Sequence, residues 1–316
     1  MSQALFAEAR FNDDDASRDF LESVRWPDGS ICPHCGGVER NSRLQGATHR
    51  PGLWFCGDCR GQFTVTVGTA FEHSKVPLHK WMLANHLLCS SKKGITAHQI
   101  HRTLGVTYKT AWFMCHRLRE AMAGNESGPL GSGGGTVEAD ETYWGTSKRS
   151  KAGKERAALG ARGYEHKEKI VALVERGGKV RGFHVATVTG KSLKPILLAN
   201  VSQDAHLMTD ESGAYYHLEK LFASHKKVVH SRGEYSRGNA HTNTIEGFFS
   251  ILKRGLVGTF HHVAPKHLNR YVGEFSFRYN TRTTLGYSDN DRAISALKGI
   301  SGKRLTYLPV KAAQSA

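Results

Sequence analysis

Thr136-Val137-Glu138-Ala139-Asp140 is the stretch on which the fold turns. Its apolar and polar residues alternate with period two, as in a strand with one buried face, and it ends on a carboxylate. A second apolar segment, Ala205-His206-Leu207-Met208-Thr209-Asp210, ends the same way. Thirty-five residues separate Asp210 from Glu246, which opens the helical pattern Ile245-Glu246-Gly247-Phe248-Phe249-Ser250-Ile251-Leu252-Lys253-Arg254. Lys253 follows Glu246 by seven residues, about two turns, so one helical face can carry both. Two carboxylates at strand ends and one on a helix can hold two divalent cations roughly 3.5–4 Å apart, clamping the attacking and leaving oxygens of a phosphoryl transfer. Hard oxygen ligands select Mg²⁺ or Mn²⁺.

The intervening sequence supplies a sheet. Ile170 to Arg176 is a run of strand formers, Gly177-Gly178 is a hairpin turn, and Val180 to Val188 returns as the partner. Ser192 to Val201 has the pattern of a helix. Between Gly145 and Lys169 lies a polar stretch rich in Lys and Arg, expected to form a mobile loop. Glu138 shares the strand face of Asp140, where a structural role is expected. Glu141 and Glu211 adjoin the two aspartates and should point away from them, and Asp204 belongs to a loop or cap. The aromatic-rich segment Tyr271 to Asn280 should be a helix packed on the sheet.

Cys32-Pro33-His34-Cys35 and Cys56-Gly57-Asp58-Cys59 are two CxxC pairs with twenty residues between them. Four thiolates at this spacing match a tetrahedral structural Zn²⁺ site. So small a module buries little apolar surface, so the metal supplies most of its folding free energy. Trp54, Phe55 and Phe63 are expected to form its mini-core, and Phe63 to Val67 to form a strand. Cys89 and Cys115 stand alone in apolar-periodic segments and read as buried small hydrophobes.

Pro77 can start a helix carrying Leu78, Trp81, Met82, Leu87 and Leu88. Ile95, Ile100 and Leu104, then Gly105, then Val106 and Ala111, describe two helices joined by a glycine turn, a helix-turn-helix pattern. Thr107 is a candidate N-cap for the second helix. Thr107, Tyr108, Lys109 and Thr110 at its start are candidates for contact with DNA, whereas Trp112 and Phe113 read as core.

The chain of 316 residues carries a formal charge of +16, a balance that favours a polyanionic partner. Met1 to Glu8 lacks a basic, apolar leader, and no run approaches the ~20 apolar residues of a membrane span. A soluble, cytoplasmic protein is expected, and no motif for Ser-nucleophile or Cys/His hydrolase chemistry is present.

The acidic set, together with His241-Thr242-Asn243-Thr244-Ile245-Glu246-Gly247-Phe248-Phe249, Leu252-Lys253-Arg254, Val137 to Tyr143 and Tyr271 to Asn280, resembles the DDE transposases of bacterial insertion sequences. The resemblance covers residues 28 to 290 and fits the subgroup in which a zinc ribbon and a helix-turn-helix precede the catalytic domain. It implies a multidomain chain whose α/β catalytic domain is RNase H-like with a mixed sheet. The expected divisions are an N-terminal segment 1–27, zinc ribbon 28–68, helix-turn-helix region 69–123, Gly-rich linker 124–135, catalytic domain 136–290 and C-terminal tail 291–316. It further implies Mg²⁺- or Mn²⁺-dependent cleavage and strand transfer at terminal inverted repeats, with double-stranded transposon-end and target DNA as partners. Asp140, Asp210 and Glu246 are the implied catalytic ligands, with Lys253 as a DNA phosphate contact. Homo-oligomers on DNA and a bacterial cytoplasmic, nucleoid-associated location follow from the same resemblance. Relatives differ at the third position, so Asn243 stands as a rival to Glu246; the interval from Asp210 and the presence of Lys253 favour Glu246. A hydrolysing nuclease of the same fold and a DNA-binding regulator descended from a transposase are the competing functions.

Overall fold

The computed structural model describes residues 5–124, 128–145, 166–216, 218–228, 236–237 and 239–306. They fall into two units, residues 1–125 with 286–316, and residues 126–285.

The first unit begins with α1 (Asp14–Arg25), capped by Asp13, whose Oδ1 accepts the Ala16 N–H at 2.7 Å. Three short antiparallel strands follow, β1 (Asn41–Arg43), β2 (Trp54–Cys56) and β3 (Gln62–Phe63). Trp54 and Phe63 face each other in the register and stack at 6.4 Å; Trp26 meets them edge-on at 6.1 and 5.8 Å. The aromatic mini-core expected of Trp54 and Phe63 is therefore present, and Trp26 completes it, while Phe55 is only half-buried. The strand expected through Val67 ends at Phe63. The Thr64 and Thr66 hydroxyls lie 3.0 Å apart and the Val67 N–H bonds to the Thr64 carbonyl, a local turn that competes with the ladder.

Helix α2 (Leu78–Ser90) starts directly after Pro77, and α3 (Ala97–Leu104) and α4 (Tyr108–Met122) follow. Gly105 closes α3 at φ +60°, a left-handed conformation that glycine adopts without steric penalty. Thr96 and Thr107 cap α3 and α4 by accepting the N–H groups of Gln99 at 3.1 Å and Thr110 at 3.2 Å. Ile100, Leu104, Ala111, Met114 and Leu118 are buried between these helices and their surroundings, and Cys89 and Cys115 are buried as the sequence indicates. Trp112 and Phe113, expected in the core, are half-buried, because Ala111, Met114 and Cys115 take the inner face of α4.

The second unit is built on β4 (Thr136–Trp144), β5 (Glu168–Glu175), β6 (Val180–Val185), α5 (Gly190–Asn200), β7 (His206–Thr209) and β8 (Ser224–Lys227). A two-stranded ribbon, β9 (Ser236–Arg237) and β10 (Ala240–His241), leads into α6 (Asn243–Gly255), and α7 (Pro265–Asn280) follows. The five-stranded sheet has the order β6-β5-β4-β7-β8 and is mixed: β4, β5 and β6 pair antiparallel, while β4, β7 and β8 pair parallel. Both faces are covered. Ile170, Ala172 and Val174 pack with Phe248, Leu252 and Val272 on one side, and Val171, Leu173 and Val137 pack with Leu193 and Leu197 on the other. Coverage of both faces explains why β5 reads as an unbroken apolar run. Gly182 permits the closeness of α7, since a Cβ there would lie 2.5 Å from Val272 Cγ1. Asn280 ties the end of α7 to β6, its Oδ1 accepting the Val180 N–H at 2.7 Å and its Nδ2 donating to the Val180 carbonyl at 2.9 Å.

Two segments depart from the sequence expectation. From Leu130 onward the Gly-rich stretch is part of the second unit: Leu130 is buried and bridges Val201, and the Gly131 and Gly133 N–H groups bond to Glu175 at 3.0 Å and Asp204 at 2.7 Å. The region taken as a C-terminal tail contains α8 (Asp289–Lys298), which returns to the first unit. There the Asn85 amide of α2 donates to the Ala293 carbonyl at 2.9 Å and Arg292 donates to the Cys89 carbonyl at 2.8 Å, all among buried groups. Most of the basic loop anticipated after Gly145 (146–165), like 307–316, lies outside the described residues.

Candidate active site and metal centres

The parallel pairing of β4 with β7 matches Thr136 to His206, Val137 to Leu207 and Glu138 to Met208. Asp140 and Asp210 each follow the last of these pairs by two residues, and the charge of Asp210 acts on Asp140. Asp140 lies within β4 and Asp210 just past the end of β7, its Oδ1 accepting the Ser212 N–H at 3.0 Å. Glu246 sits in the first turn of α6, exposed, and its Oε1 accepts the Thr242 hydroxyl at 3.1 Å. Asn243 is the first residue of that helix and is also exposed, and Lys253 is exposed near its end.

Electrostatics join these carboxylates. Burial, reinforced by the charges of Glu141, Asp210 and Glu246, pushes the Asp140 carboxyl up to about 8, although its Oδ1 accepts the Glu141 N–H at 2.7 Å. Sequence alternation places Glu141 on the opposite face, where its Oε2 accepts the buried Tyr215 hydroxyl at 2.9 Å. Its charge nevertheless acts on Asp140, and its own carboxyl is raised by burial and by Asp210. Glu141 thus points away from Asp140 as expected, while its charge still acts through a single layer of backbone. Asp140 thus lies in the fields of three other carboxylates, Glu141, Asp210 and Glu246, and oxygen donors of this kind are the chemical type that divalent cations take. These oxygens do not converge as closely as the thiols do: among the described residues, the four cysteines are the group of potential ligands that gathers around one point.

The sulfurs of Cys32, Cys35, Cys56 and Cys59 all lie within 4.8 Å of one another, with Cys32–Cys59 at 3.7 Å and Cys35–Cys56 at 3.6 Å. A Zn–S bond of about 2.3 Å in a tetrahedron requires sulfurs ~3.8 Å apart, so the set fits zinc. Backbone N–H groups of Cys59 and Asp58 hold the Cys56 thiol at about 7, favouring the thiolate.

On α4, Tyr108 is exposed and stacks on His98 of α3 at 4.2 Å, and Lys109 is exposed. The Thr107 hydroxyl is engaged as the cap, 2.9 Å from the hydroxyl of half-buried Thr110. His98 was not singled out from sequence; its spacing from Tyr108 across the turn is the signal that could have found it.

Glu138 has the structural role expected of it. Its side chain is fully buried and receives the Arg176 Nε at 2.6 Å, the Thr244 hydroxyl at 2.9 Å and the Ile245 N–H at 2.9 Å. Arg176 extends the network to the carbonyls of Asn239 and His241, each at 2.8 Å.

Comparison with known proteins agrees with this geometry. Residues 133–280 match the ISXO2-like transposase domain, and residues 12–62 match the transposase zinc-ribbon domain. The latter match takes in α1 and Trp26, which the sequence reading left outside the ribbon. An uncharacterized protein in the transposable element ISH50 of Halobacterium salinarum is 31% identical over 271 residues, covering 82% of this chain and 88% of that protein. No helix among the described residues is long and apolar enough to cross a membrane. With these matches over both the sheet unit and the four-cysteine ribbon, the chain belongs to the insertion-sequence DDE transposases that carry an N-terminal zinc ribbon.

Proposed function

We propose that this transposase binds the terminal inverted repeats of its element, cuts DNA there and joins the freed ends to target DNA, with Asp140, Asp210 and Glu246 holding two Mg²⁺ or Mn²⁺ ions. The observation that supports this reading is the approach of three carboxylates from three separate segments: Asp140, raised first by burial, also lies in the fields of Asp210, just past β7, and Glu246, in the first turn of α6. The sheet order β6-β5-β4-β7-β8, antiparallel on one side of β4 and parallel on the other, supports an RNase H-like catalytic domain. Such a site has no use for an acid that forms a covalent intermediate; its carboxylates neutralise and orient cations. When bound, the cations supply Lewis-acid activation of water and of the 3′ hydroxyl and offset the charge of the phosphate. Glu246 is preferred to Asn243 as the third ligand, since it offers an anionic oxygen donor from the first turn of α6. Lys253, on the same exposed helix, contacts DNA phosphate.

The pair α3–α4, with Tyr108 and Lys109 exposed at the start of α4 and Thr107 and Thr110 beside them, is the helix-turn-helix that selects the ends. Zinc held by Cys32, Cys35, Cys56 and Cys59 organises the ribbon ahead of it. Both ends of an element are processed together, so the working form on DNA is a dimer or larger.

A Mg²⁺-dependent assay on DNA carrying the element's own ends and a target duplex tests the reading. Joined products are expected. Cleavage without joining would reassign the chain as a nuclease, and end binding without either reaction would make it a regulator.

A further inference from the structure

We infer that Glu138 is a positioning residue for the catalytic site: from the strand that bears Asp140, it caps the helix that bears Glu246. The inference rests on the metal-binding reading given above. The first turn of any helix leaves N–H groups without partners inside the helix. In α6 the N-cap residue, Thr242, makes no side-chain cap; its hydroxyl goes to Glu246 instead. Glu138 takes over the capping from β4, accepting the N–H of Ile245 at 2.9 Å and the hydroxyl of Thr244 at 2.9 Å. A carboxylate at this end of a helix is also favoured by the helix dipole.

The position of Glu138 gives the cap its consequence. It lies two residues before Asp140, so both side chains leave β4 on the same face. Its helical contacts, Thr244 and Ile245, immediately precede Glu246. Arg176, at the end of β5, pairs with the same carboxylate at 2.6 Å and grips the carbonyls of Asn239 and His241 ahead of α6. His241 Nδ1 stands 3.3 Å from Glu138 Oε1. Every one of these contacts fixes how far α6 stands from β4, and so the separation of Glu246 from Asp140. Glu138 touches neither the cations nor the substrate; it acts through Glu246.

The test is Mn²⁺ binding, followed by calorimetry and by the Mn²⁺ resonance signal, to zinc-loaded full-length protein. Wild type, Glu138→Gln, Thr244→Val and Asp140→Asn are compared, with circular dichroism reporting the fold. Glu138→Gln keeps the volume but puts an amide donor where two donors already point. A folded Glu138→Gln protein should bind Mn²⁺ about 10–100-fold more weakly, the usual effect of losing support behind a metal ligand. Thr244→Val, which removes one bond, should weaken binding in the same direction by less than about tenfold. Wild-type affinity in folded Glu138→Gln would overturn the inference. If Glu138→Gln fails to fold, Thr244→Val decides, and unchanged affinity there would overturn it. Mn²⁺ binding that is absent from wild type, or undiminished in Asp140→Asn, would instead sink the metal-site reading, and this inference with it.

Discussion

The cysteine cluster and the acidic cluster of this protein are assembled in opposite ways. Four sulfurs from two tight CxxC turns sit within 4.8 Å of one another, and the backbone of the same turns supplies the N–H groups that favour thiolate. The acidic groups come from β4, the end of β7 and α6, and are brought together by a strand register and by one buried glutamate. A closed structural site can be written into short local motifs. A catalytic site that has to stay open to DNA and cations is held from behind, by residues distant in sequence.

Loss of activity is the largest difference to expect between the two clusters. Asp140→Ala should lower cleavage by on the order of 10⁴-fold while leaving end binding intact, measured by product formation and by gel shift. Parallel loss of binding would mean that the acidic face organises DNA recognition as well.

Zinc removal should do the reverse. Chelation, or Cys56→Ser, withdraws a binding free energy of about 10–16 kcal/mol from a module with a small core. The ribbon should unfold and end binding should fail, with the sheet unit still showing its cooperative unfolding transition. Retention of end binding without zinc would place recognition in α3 and α4 and not in the ribbon.

Glu138→Ala should be the costliest single change within the second unit. It leaves Arg176 beside a cavity with no counter-charge, a defect worth about 3–5 kcal/mol in urea unfolding. Tyr215→Phe, which removes only the hydroxyl bonded to Glu141, should cost about 1 kcal/mol.

A pH dependence separates the clusters further. The Asp140 carboxyl rises from an ordinary 3.8 to about 8 on folding, so the folded chain binds the proton more tightly than the unfolded chain does. The resulting contribution to stability is complete below about pH 4 and is lost as pH rises through about 8. Metal-free protein should therefore lose stability across this window, Asp140→Asn should flatten the loss, and Mg²⁺ should offset it at the alkaline end. Melting curves at fixed ionic strength check all three.

How much of this was legible in the sequence depended on range. The β5–β6 hairpin, the CxxC pairs and the Thr107 cap rest on contacts between near neighbours and appear where their patterns indicate, whereas β4 is buried on both faces at Val137 to Ala139 and runs past Asp140 to Trp144. The partners of Glu138 lie more than thirty residues away, and nothing in the period-two pattern reveals that Arg176 and Ile245 converge on it. The expected boundary at 290 cuts through α8, whose capping box, Ser288 with Asp291, is a local signal that the division overlooks. Alternation and β-branched content indicate a strand from Phe63 to Val67, but the Thr64 and Thr66 hydroxyls bond to each other and favour a turn.

The central claim is that three carboxylates, the third being Glu246, form the catalytic set. The most direct measurement is strand transfer with Mg²⁺ by Glu246→Gln and Asn243→Ala, each shown by gel shift to bind the ends as wild type does. Glu246→Gln should form no joined product, and Asn243→Ala should retain joining. Full joining by Glu246→Gln together with its loss in Asn243→Ala would contradict the account and move the third position to Asn243.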